Sequence, residues 1–106
     1  MKLTSMVCVA CQGGMPPLKG KEIQVFLKKV RGWKVIKQHH IEKEFKFKDF
    51  KEALMFVNKV GKIAEKERHH PNIDFTWGKA KITLYTHKIN GLHQNDFIVA
   101  AKIDEL

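Results

Sequence analysis

Residues 49–71 read DFKEALMFVNKVGKIAEKERHHP and contain the longest amphipathic pattern in the chain. Their apolar positions recur at the spacing of one helical face and comprise Phe50, Ala53, Leu54, Val57, Val60, Gly61 and Ala64. Asp49 is a suitable N-cap, because its carboxylate can accept a hydrogen bond from the first helical turn. Pro71 bounds the segment, because the residue before a proline is pushed out of helical geometry. The pattern predicts a long helix from Asp49 to about Arg68, with His69 at or just past its end.

Two shorter helices are predicted near the two ends of the chain. Within residues 19–31 the apolar residues again follow a helical stripe, at Ile23, Phe26, Leu27 and Val30. Gly32 is a suitable stop for this first helix. The last helix is predicted to begin at about Gln94, with His93 as its N-cap. Asp96 then lies in the first turn, where its charge meets the positive end of the helix dipole.

Four short segments alternate between apolar and polar residues, which is the period of half-buried strands. They span residues 33–37, 41–47, 73–77 and 80–85, and the last is expected to end near His87. Short links between consecutive strands favour antiparallel pairing. The order helix, strand, strand, helix, strand, strand, helix predicts an α+β fold, in which three helices pack on one face of a four-stranded antiparallel sheet.

Residues 1–18 are interpreted as an irregular N-terminal arm ahead of a single domain, residues 19–106, because 106 residues leave no room for a second core. The arm contains Cys8 and Cys11 in the spacing C-x-x-C, which also occurs in half zinc sites and in redox pairs. A closed zinc site needs four ligands, and this motif supplies only two of them. The glycines and prolines that follow do not suggest the strand and helix of a thioredoxin-like fold. Two reduced thiols are the favoured interpretation.

The chain is strongly basic, with a net charge of +9 and a pI near 9.7. This charge raises the alternative of a nucleic-acid-binding protein. The lysines are spread along the whole chain, however, which favours a solvated basic surface, and we expect no nucleic-acid partner. No apolar run approaches the roughly 18 residues of a membrane span, and the N-terminal apolar stretch is too short for a signal peptide. A cytoplasmic protein without a membrane partner is therefore expected.

Histidines at the predicted ends of separate elements are candidates for proton transfer. His69 and His70 follow the long helix, where the helix dipole favours an imidazolium. Glu65 lies one turn before His69 on the same helical face, where it can orient or charge the ring. His87 follows the fourth strand. Imidazoles that converge at one rim of the sheet would suit general acid–base catalysis near neutral pH.

The same residues also have simpler interpretations. Adjacent histidines at a helix end often form a polar cap, His87 is compatible with a solvated strand end, and Asp96 is explained by its place in a first helical turn. A zinc site with three histidine ligands is weakened by the adjacency of His69 and His70, whose side chains point apart in an extended chain. Spacing alone leaves these alternatives open.

A longer combined motif joins the histidines to the segments around them. It comprises E-x-x-x-H-H-P at Glu65, His69, His70 and Pro71, the aromatic Trp77, I-T-L-x-T-H from Ile82 to His87, Gly91-Leu92, and Asp96. This motif resembles that of the pterin-4a-carbinolamine dehydratase family, and the arm sequence CVACQGGMPPL resembles the opening of bacterial members. The resemblance covers about Cys8 to Ala101. It departs from the family pattern at Lys88, where many members carry an acid, and at His93, which replaces a threonine and is expected to weaken a capping box.

The resemblance implies a reaction and roles for the histidines. Members of the family dehydrate 4a-hydroxytetrahydropterin, which aromatic amino-acid hydroxylases generate, to quinonoid dihydropterin. The reaction needs neither a metal nor an organic cofactor. The resemblance assigns the acid and base work to His69 and His87, without deciding which residue does which, and it implies that His70 holds the pterin ring.

The resemblance also places further residues in the substrate site. Asp96, with Glu65 as an outer partner, is expected to orient imidazoles or to bind the amino-pyrimidinone edge of the substrate. Pro71 is expected to be part of the same substrate-binding group. Trp33 or Trp77 is expected to line the pocket, although tryptophans are more often core residues.

The family further implies self-association, since its members form homodimers through their sheets and some pair again into homotetramers. Two alternatives to a biopterin dehydratase stay open. One is a protein-binding dimerisation cofactor, because animal relatives serve a homeodomain transcription factor in this way. The other is a role with a different pterin, including those of molybdenum-cofactor metabolism.

Overall fold

The structure of the chain, a computed structural model, describes residues 2–9 and 15–106. Its helices and strands are α1 (Gly20–Leu27), β1 (Lys34–Ile36), β2 (His40–Lys46), α2 (Phe50–Glu67), β3 (Asn72–Thr76), β4 (Lys79–Leu84) and α3 (Gln94–Asp104), with short 3₁₀ turns at Leu3–Ser5 and His87–Ile89. The predicted element order and the α+β class are confirmed. None of the helices in the described residues is long and apolar enough to cross a bilayer.

The strands form one antiparallel sheet in the order β1-β2-β4-β3. In the central pair, β2 and β4, Ile41 lies opposite Leu84. These two residues and Ile82 have no exposed surface, because the helices cover their face of the sheet. Side chains alternate along a strand, so the opposite face carries charged residues. An ion pair between Lys81 and Glu42, 3.5 Å long, lies on that face. The prediction that the helices pack on one face is confirmed.

α3 lies at the centre of the core rather than at its surface. Residues 95–101 are all buried, so this helix needs neighbours on several sides. It packs against α1, α2 and the 3₁₀ turn Leu3–Ser5. Phe97 of α3 stacks on Phe26 of α1 with ring centroids 5.4 Å apart. The first turn of α3 is therefore held in a fixed place relative to the sheet.

α2 begins and ends where the sequence predicts. Asp49 Oδ1 accepts a hydrogen bond from the Glu52 N–H at 2.9 Å, which caps the first turn. Arg68 ends the helix in the left-handed conformation, with a φ of 53°. Because the chain turns at Arg68, His69 and His70 form the link between α2 and β3.

α1 is shorter than predicted, because it ends at Leu27 rather than at Arg31. Beyond Leu27 the backbone hydrogen bonds change to the 3₁₀ pattern, in which the Lys29 N–H donates to the carbonyl three residues back at 2.9 Å. The Arg31 N–H donates to Asp104 Oδ2 and not to a helical carbonyl. Gly32 therefore does not cap α1, and its φ of 73° serves the turn that leads into β1.

The N-terminal arm packs on the domain and is less irregular than expected. Leu3 lies in a 3₁₀ turn and is only 4% exposed. The Leu18 N–H donates to the Leu92 carbonyl at 2.9 Å. Pro17 approaches Gly91 so closely that a Cβ at Gly91 would come within 2.6 Å of a Pro17 side-chain atom. The close approach of the arm therefore requires glycine at this position.

A polar cluster around Asp104 ties the end of α3 to the sheet. Its carboxylate accepts hydrogen bonds from the Arg31 N–H and from Trp33 Nε1, each at 3.0 Å. It also pairs with Lys43 Nζ at 2.8 Å, and the Asp104 side chain is only 9% exposed. Lys43 interrupts the apolar face of β2, but its charge is balanced, and Nζ lies 4.8 Å from the centre of the Phe45 ring.

Replacing Asp104 by alanine is expected to lower the free energy of unfolding by about 3 kcal/mol. The variant leaves Lys43 without its counter-charge and the Trp33 indole without an acceptor. Urea unfolding followed by tryptophan fluorescence measures the loss. Glu44→Ala is the matched control, because Glu44 forms an exposed pair with Lys79 at 3.6 Å and a much smaller loss is expected. Equal losses in the two variants would contradict the role given to Asp104.

Candidate active site

A cleft of about 640 Å³ opens between the N-terminal arm, the α2–β3 link and the segment that follows β4. The residues that line it include His69, His70, Pro71, Tyr85, His87 and Lys88. β3 starts where its antiparallel neighbour β4 ends, so both links lie at the same rim of the sheet. The histidines that the sequence places at separate element ends therefore meet in one cleft.

Asp96 is the buried polar centre of this site, and its side chain has no exposed surface. Oδ1 lies 2.5 Å from His69 Nε2. Oδ2 accepts hydrogen bonds from Thr86 Oγ1 at 3.0 Å and from the His93 N–H at 2.9 Å. A carboxylate bound to one imidazole nitrogen fixes the orientation of the ring. Proton exchange between His69 and a ligand would then use the other nitrogen, Nδ1.

His93 caps α3 as predicted. Its Nδ1 accepts a hydrogen bond from the Asn95 N–H at 3.0 Å, while Asp96 accepts one from the His93 N–H. The expected weakening of the capping box is not observed, because an unprotonated imidazole nitrogen accepts a hydrogen bond as a hydroxyl does. Burial lowers the pKa of His93 below its ordinary 6.5; Asp96 opposes this shift and His69 reinforces it.

Glu65 contacts His70 rather than His69. Glu65 Oε2 lies 2.8 Å from His70 Nε2, and both side chains are more than half exposed. The expected pairing of Glu65 with His69 is wrong, because the left-handed turn at Arg68 carries His69 off the helical face that Glu65 occupies. Asp96 is the partner of His69 instead.

His87 follows the end of β4, as expected. The strand ends at Leu84, and His87 begins the 3₁₀ turn that runs to Ile89. The chain leaves the sheet here because the Thr86 side chain donates to Asp96 beneath it. The same hydrogen bond sets where the next residue, His87, enters the cleft.

Three rings, those of His39, Tyr85 and His87, pack against one another in tilted orientations at this part of the cleft. The ring centroids of His39 and Tyr85 are 4.5 Å apart, and those of Tyr85 and His87 are 4.1 Å apart. Asn90 Oδ1 lies 2.8 Å from His39 Nε2 and holds the outer ring. Sequence analysis missed Tyr85 and His39, because only the pairing of β2 with β4 brings the β1–β2 turn beside the end of β4.

Neither tryptophan is among the described residues that line the cleft. Trp77 lies in the β3–β4 turn and is 64% exposed. The length of β3, roughly 16 Å, separates it from the histidine rim. Trp33 is 5% exposed and donates to Asp104, so it is a core residue. The expectation that a tryptophan lines the pocket is therefore not met within this chain.

The arm supplies a wall of the cleft that sequence analysis did not assign. Cys8 and Val9 line the cleft, and their backbone N–H groups bind side chains of Glu67 and Asn95. Burial, and secondarily the charge of Glu67, raises the pKa of the Cys8 thiol to about 12, so it stays protonated and unreactive at neutral pH. Cys11 lies outside the described residues. Within residues 2–9 and 15–106, no group of three or more His, Cys, Asp or Glu side chains is arranged to hold a metal ion.

Fold and site together define a small α+β protein with a histidine–carboxylate cleft. Residues 16–106 match the model of the family described as "Pterin 4 alpha carbinolamine dehydratase". The chain therefore belongs to the pterin-4a-carbinolamine dehydratase family, and the resemblance carried by its sequence motifs is confirmed.

Relatives from two bacteria match almost the whole chain, and each is named "Putative pterin-4-alpha-carbinolamine dehydratase". The protein of Rubrobacter xylanophilus is 50% identical, over 99% of this chain and 98% of its own. That of Alkaliphilus metalliredigens is 52% identical, over 97% of this chain and 94% of its own. A crystal structure from Brucella melitensis, titled as a transcriptional coactivator/pterin dehydratase, superposes with a TM-score of 0.79 at 32% identity and covers 84% of this chain and 96% of its own.

The lowered pKa values of His40 and His93 predict that stability falls in acid. Burial lowers both pKa values, and repulsion from His39 adds to the shift at His40. Because the folded state binds these protons less readily than the unfolded state, their contribution to stability is complete above the ordinary pKa of 6.5 and is lost as the pH falls through the folded values. Urea midpoints at about pH 7.5 and about pH 5.5 measure this loss.

His93→Asn is the matched variant for this experiment. Asparagine keeps an acceptor at the N-cap but cannot take up the proton. The variant is expected to lose less stability than the wild type between the two pH values. An equal loss would show that His93 does not contribute to the pH dependence.

Proposed function

We propose that this protein is a cytoplasmic dehydratase that converts 4a-hydroxytetrahydropterin to quinonoid dihydropterin and water, and so recycles tetrahydropterin for aromatic amino-acid hydroxylation. The observation that carries the proposal is the His69–Asp96 pair in a cleft that His87 also lines. Membership of the family and the names of the relatives support it.

The reaction consists of two proton movements. The hydroxyl on carbon 4a accepts a proton and leaves as water, while a ring nitrogen loses a proton as the new double bond forms. No electrons are exchanged with a second molecule, and no net proton is consumed. Two imidazoles held beside the same substrate suit both proton transfers, because histidine takes up and releases protons near neutral pH.

His69 and His87 carry these two movements in the proposal. Asp96 fixes the His69 ring and stabilises the imidazolium that forms when the ring takes up a proton. We therefore assign His69 as the base that removes the proton from the ring nitrogen. His87, whose ring packs against Tyr85, is assigned as the acid that protonates the leaving hydroxyl.

The rim of the cleft is assigned to substrate binding. His70, paired with Glu65, holds the pterin ring beside Pro71. Arg68 and Lys88 also line the cleft and give it positive charge. This charge favours a second class of substrate, a pterin with a phosphorylated side chain such as those of molybdenum-cofactor metabolism. Comparing kcat/KM for a neutral and a phosphorylated substrate distinguishes the two classes.

We also propose that the protein is a homodimer or homotetramer that associates through β3 and α2. β3 is an edge strand. Five large apolar residues on or beside these two elements are 36–64% exposed, namely Phe50, Leu54, Met55, Ile73 and Trp77. An apolar patch beside an unpaired strand edge is a suitable surface for self-association. The proposal also gives Trp77 a place in a subunit interface rather than in the cleft.

His69→Ala is expected to lower kcat by about 10²- to 10⁴-fold, because it removes the proposed base. A hydroxylase generates the carbinolamine, and the absorbance change of quinonoid formation is followed against the spontaneous rate. The variant that carries both His69→Ala and His87→Ala is expected to react at the spontaneous rate. Turnover like that of the wild type in this double variant would rule out the assignment.

One further histidine variant separates chemistry from binding. His70→Ala is expected to raise KM more than it lowers kcat, because His70 is assigned to binding. Glu44→Ala is the control, since Glu44 lies on β2 outside the residues that line the cleft, and turnover is expected to be unchanged. If the well-folded wild type gives no acceleration, the cleft serves another pterin or a binding role.

Ile73→Lys is expected to reduce the molar mass in solution toward the 12.3 kDa of one chain, because it places a charge in the proposed interface. Light scattering after gel filtration measures the mass. Val25→Lys is the control, since Val25 is 57% exposed but lies on α1. A monomeric wild type, or dissociation of both variants, would contradict an interface at β3.

A further inference from the structure

The N-terminal arm is attached to the edge of the cleft by buried polar side chains of the domain. The Cys8 N–H donates to Glu67 Oε1 at 2.9 Å, and Glu67 Oε2 lies 2.7 Å from Lys102 Nζ. The Val9 N–H donates to Asn95 Oδ1 at 3.1 Å, and Asn95 Nδ2 donates back to the Val9 carbonyl at 2.7 Å. The Asn95 amide thus pairs with both backbone groups of Val9.

These contacts are specific, because the domain side chains in them are themselves buried. Asn95 and Glu67 are 3% and 7% exposed. Buried polar groups without partners are costly, so each of these side chains depends on the arm to satisfy one oxygen. Burial acts to raise the pKa of Glu67, but the hydrogen bonds from Lys102 and Cys8 outweigh it and hold the pKa below its ordinary value. Glu67 therefore binds the arm as a carboxylate.

The attachment points belong to the two segments that carry the site. Glu67 is the last residue of α2, two positions before His69, and Asn95 immediately precedes Asp96. Cys8 and Val9 consequently lie along the same cleft as the histidines. Their surface is uncharged, since valine is apolar and the Cys8 thiol stays protonated at neutral pH. The family match begins at residue 16, so this wall lies outside the matched region.

We propose that Cys8 and Val9 form a substrate-contacting wall of the pterin cleft, and that Val9 helps to determine which pterins fit. The wall faces an uncharged part of the substrate, either the flat face of the ring or an alkyl substituent. This inference rests on the proposed function, because it takes the occupant of the cleft to be a pterin.

A pair of valine-to-tryptophan substitutions tests the wall. Val9→Trp enlarges the side chain at the cleft. The two hydrogen bonds to the Asn95 amide use only backbone groups of Val9 and are therefore retained. Val7→Trp is the matched control, because Val7 is exposed to a similar extent, 67% against 62%, and is not among the cleft residues. Val9→Trp is expected to raise KM, and the Kd of the stable ligand 7,8-dihydropterin, by about tenfold. Val7→Trp is expected to leave both constants unchanged.

The outcomes separate this inference from the proposed function. Wild-type protein that neither accelerates dehydration nor binds 7,8-dihydropterin would overturn the function, and the wall of a pterin site would be overturned with it. An active wild type with Val9→Trp and Val7→Trp behaving alike would overturn the wall alone. Thermal unfolding of both variants checks the fold, so that a raised KM in Val9→Trp at an unchanged Tm supports contact with the substrate.

Discussion

Asp96 carries a carboxylate where water does not reach, and three separate segments of the chain supply the hydrogen bonds that make its burial tolerable. An uncompensated charge in such a place would cost several kcal/mol. Here the donors are His69 from the α2–β3 link, Thr86 from the end of β4 and the His93 backbone from the start of α3, with the helix dipole as a further contribution. The hydrogen bonds of Asp96 therefore hold the rim of the sheet together and position the histidine site at the same time.

The adjacent histidines show how one dipeptide gives two different environments. In the link after Arg68 their side chains point to different partners. His69 turns inward to Asp96 and is 12% exposed, while His70 turns outward to Glu65 and is 61% exposed. A fixed imidazole and a solvated one thus lie next to each other in the same short link, which suits the proton-transfer and binding roles proposed for them. The same geometry counts against the zinc site with three histidine ligands.

Local patterns were sufficient for most of the fold and for the histidines of the site. Asp49, Arg68 and His93 mark element ends through short-range hydrogen bonds or backbone turns, and all three are where the sequence predicts. One error is local, since the left-handed turn at Arg68 redirects His69 away from Glu65, and others involve partners that are distant in sequence. α1 ends early, and the Arg31 N–H beyond it binds Asp104, 73 residues further on, in place of a helical carbonyl. The contact of His39 with Tyr85 likewise depends on sheet register, which spacing along the chain does not reveal.

The docked arm has a consequence for the order in which the molecule is completed. Residues 2–9 are synthesised before the rest of the described domain, yet the amide that holds Val9 is 86 residues further along the chain. Gly91 and Leu92, against which Pro17 and Leu18 rest, are also synthesised late. Contacts of such long range cannot form until the later residues have been synthesised, and the closure of a long loop makes them slow to form. The cleft is therefore closed only once α3 has been synthesised, and a nascent chain that lacks this helix has no closed site to offer a ligand.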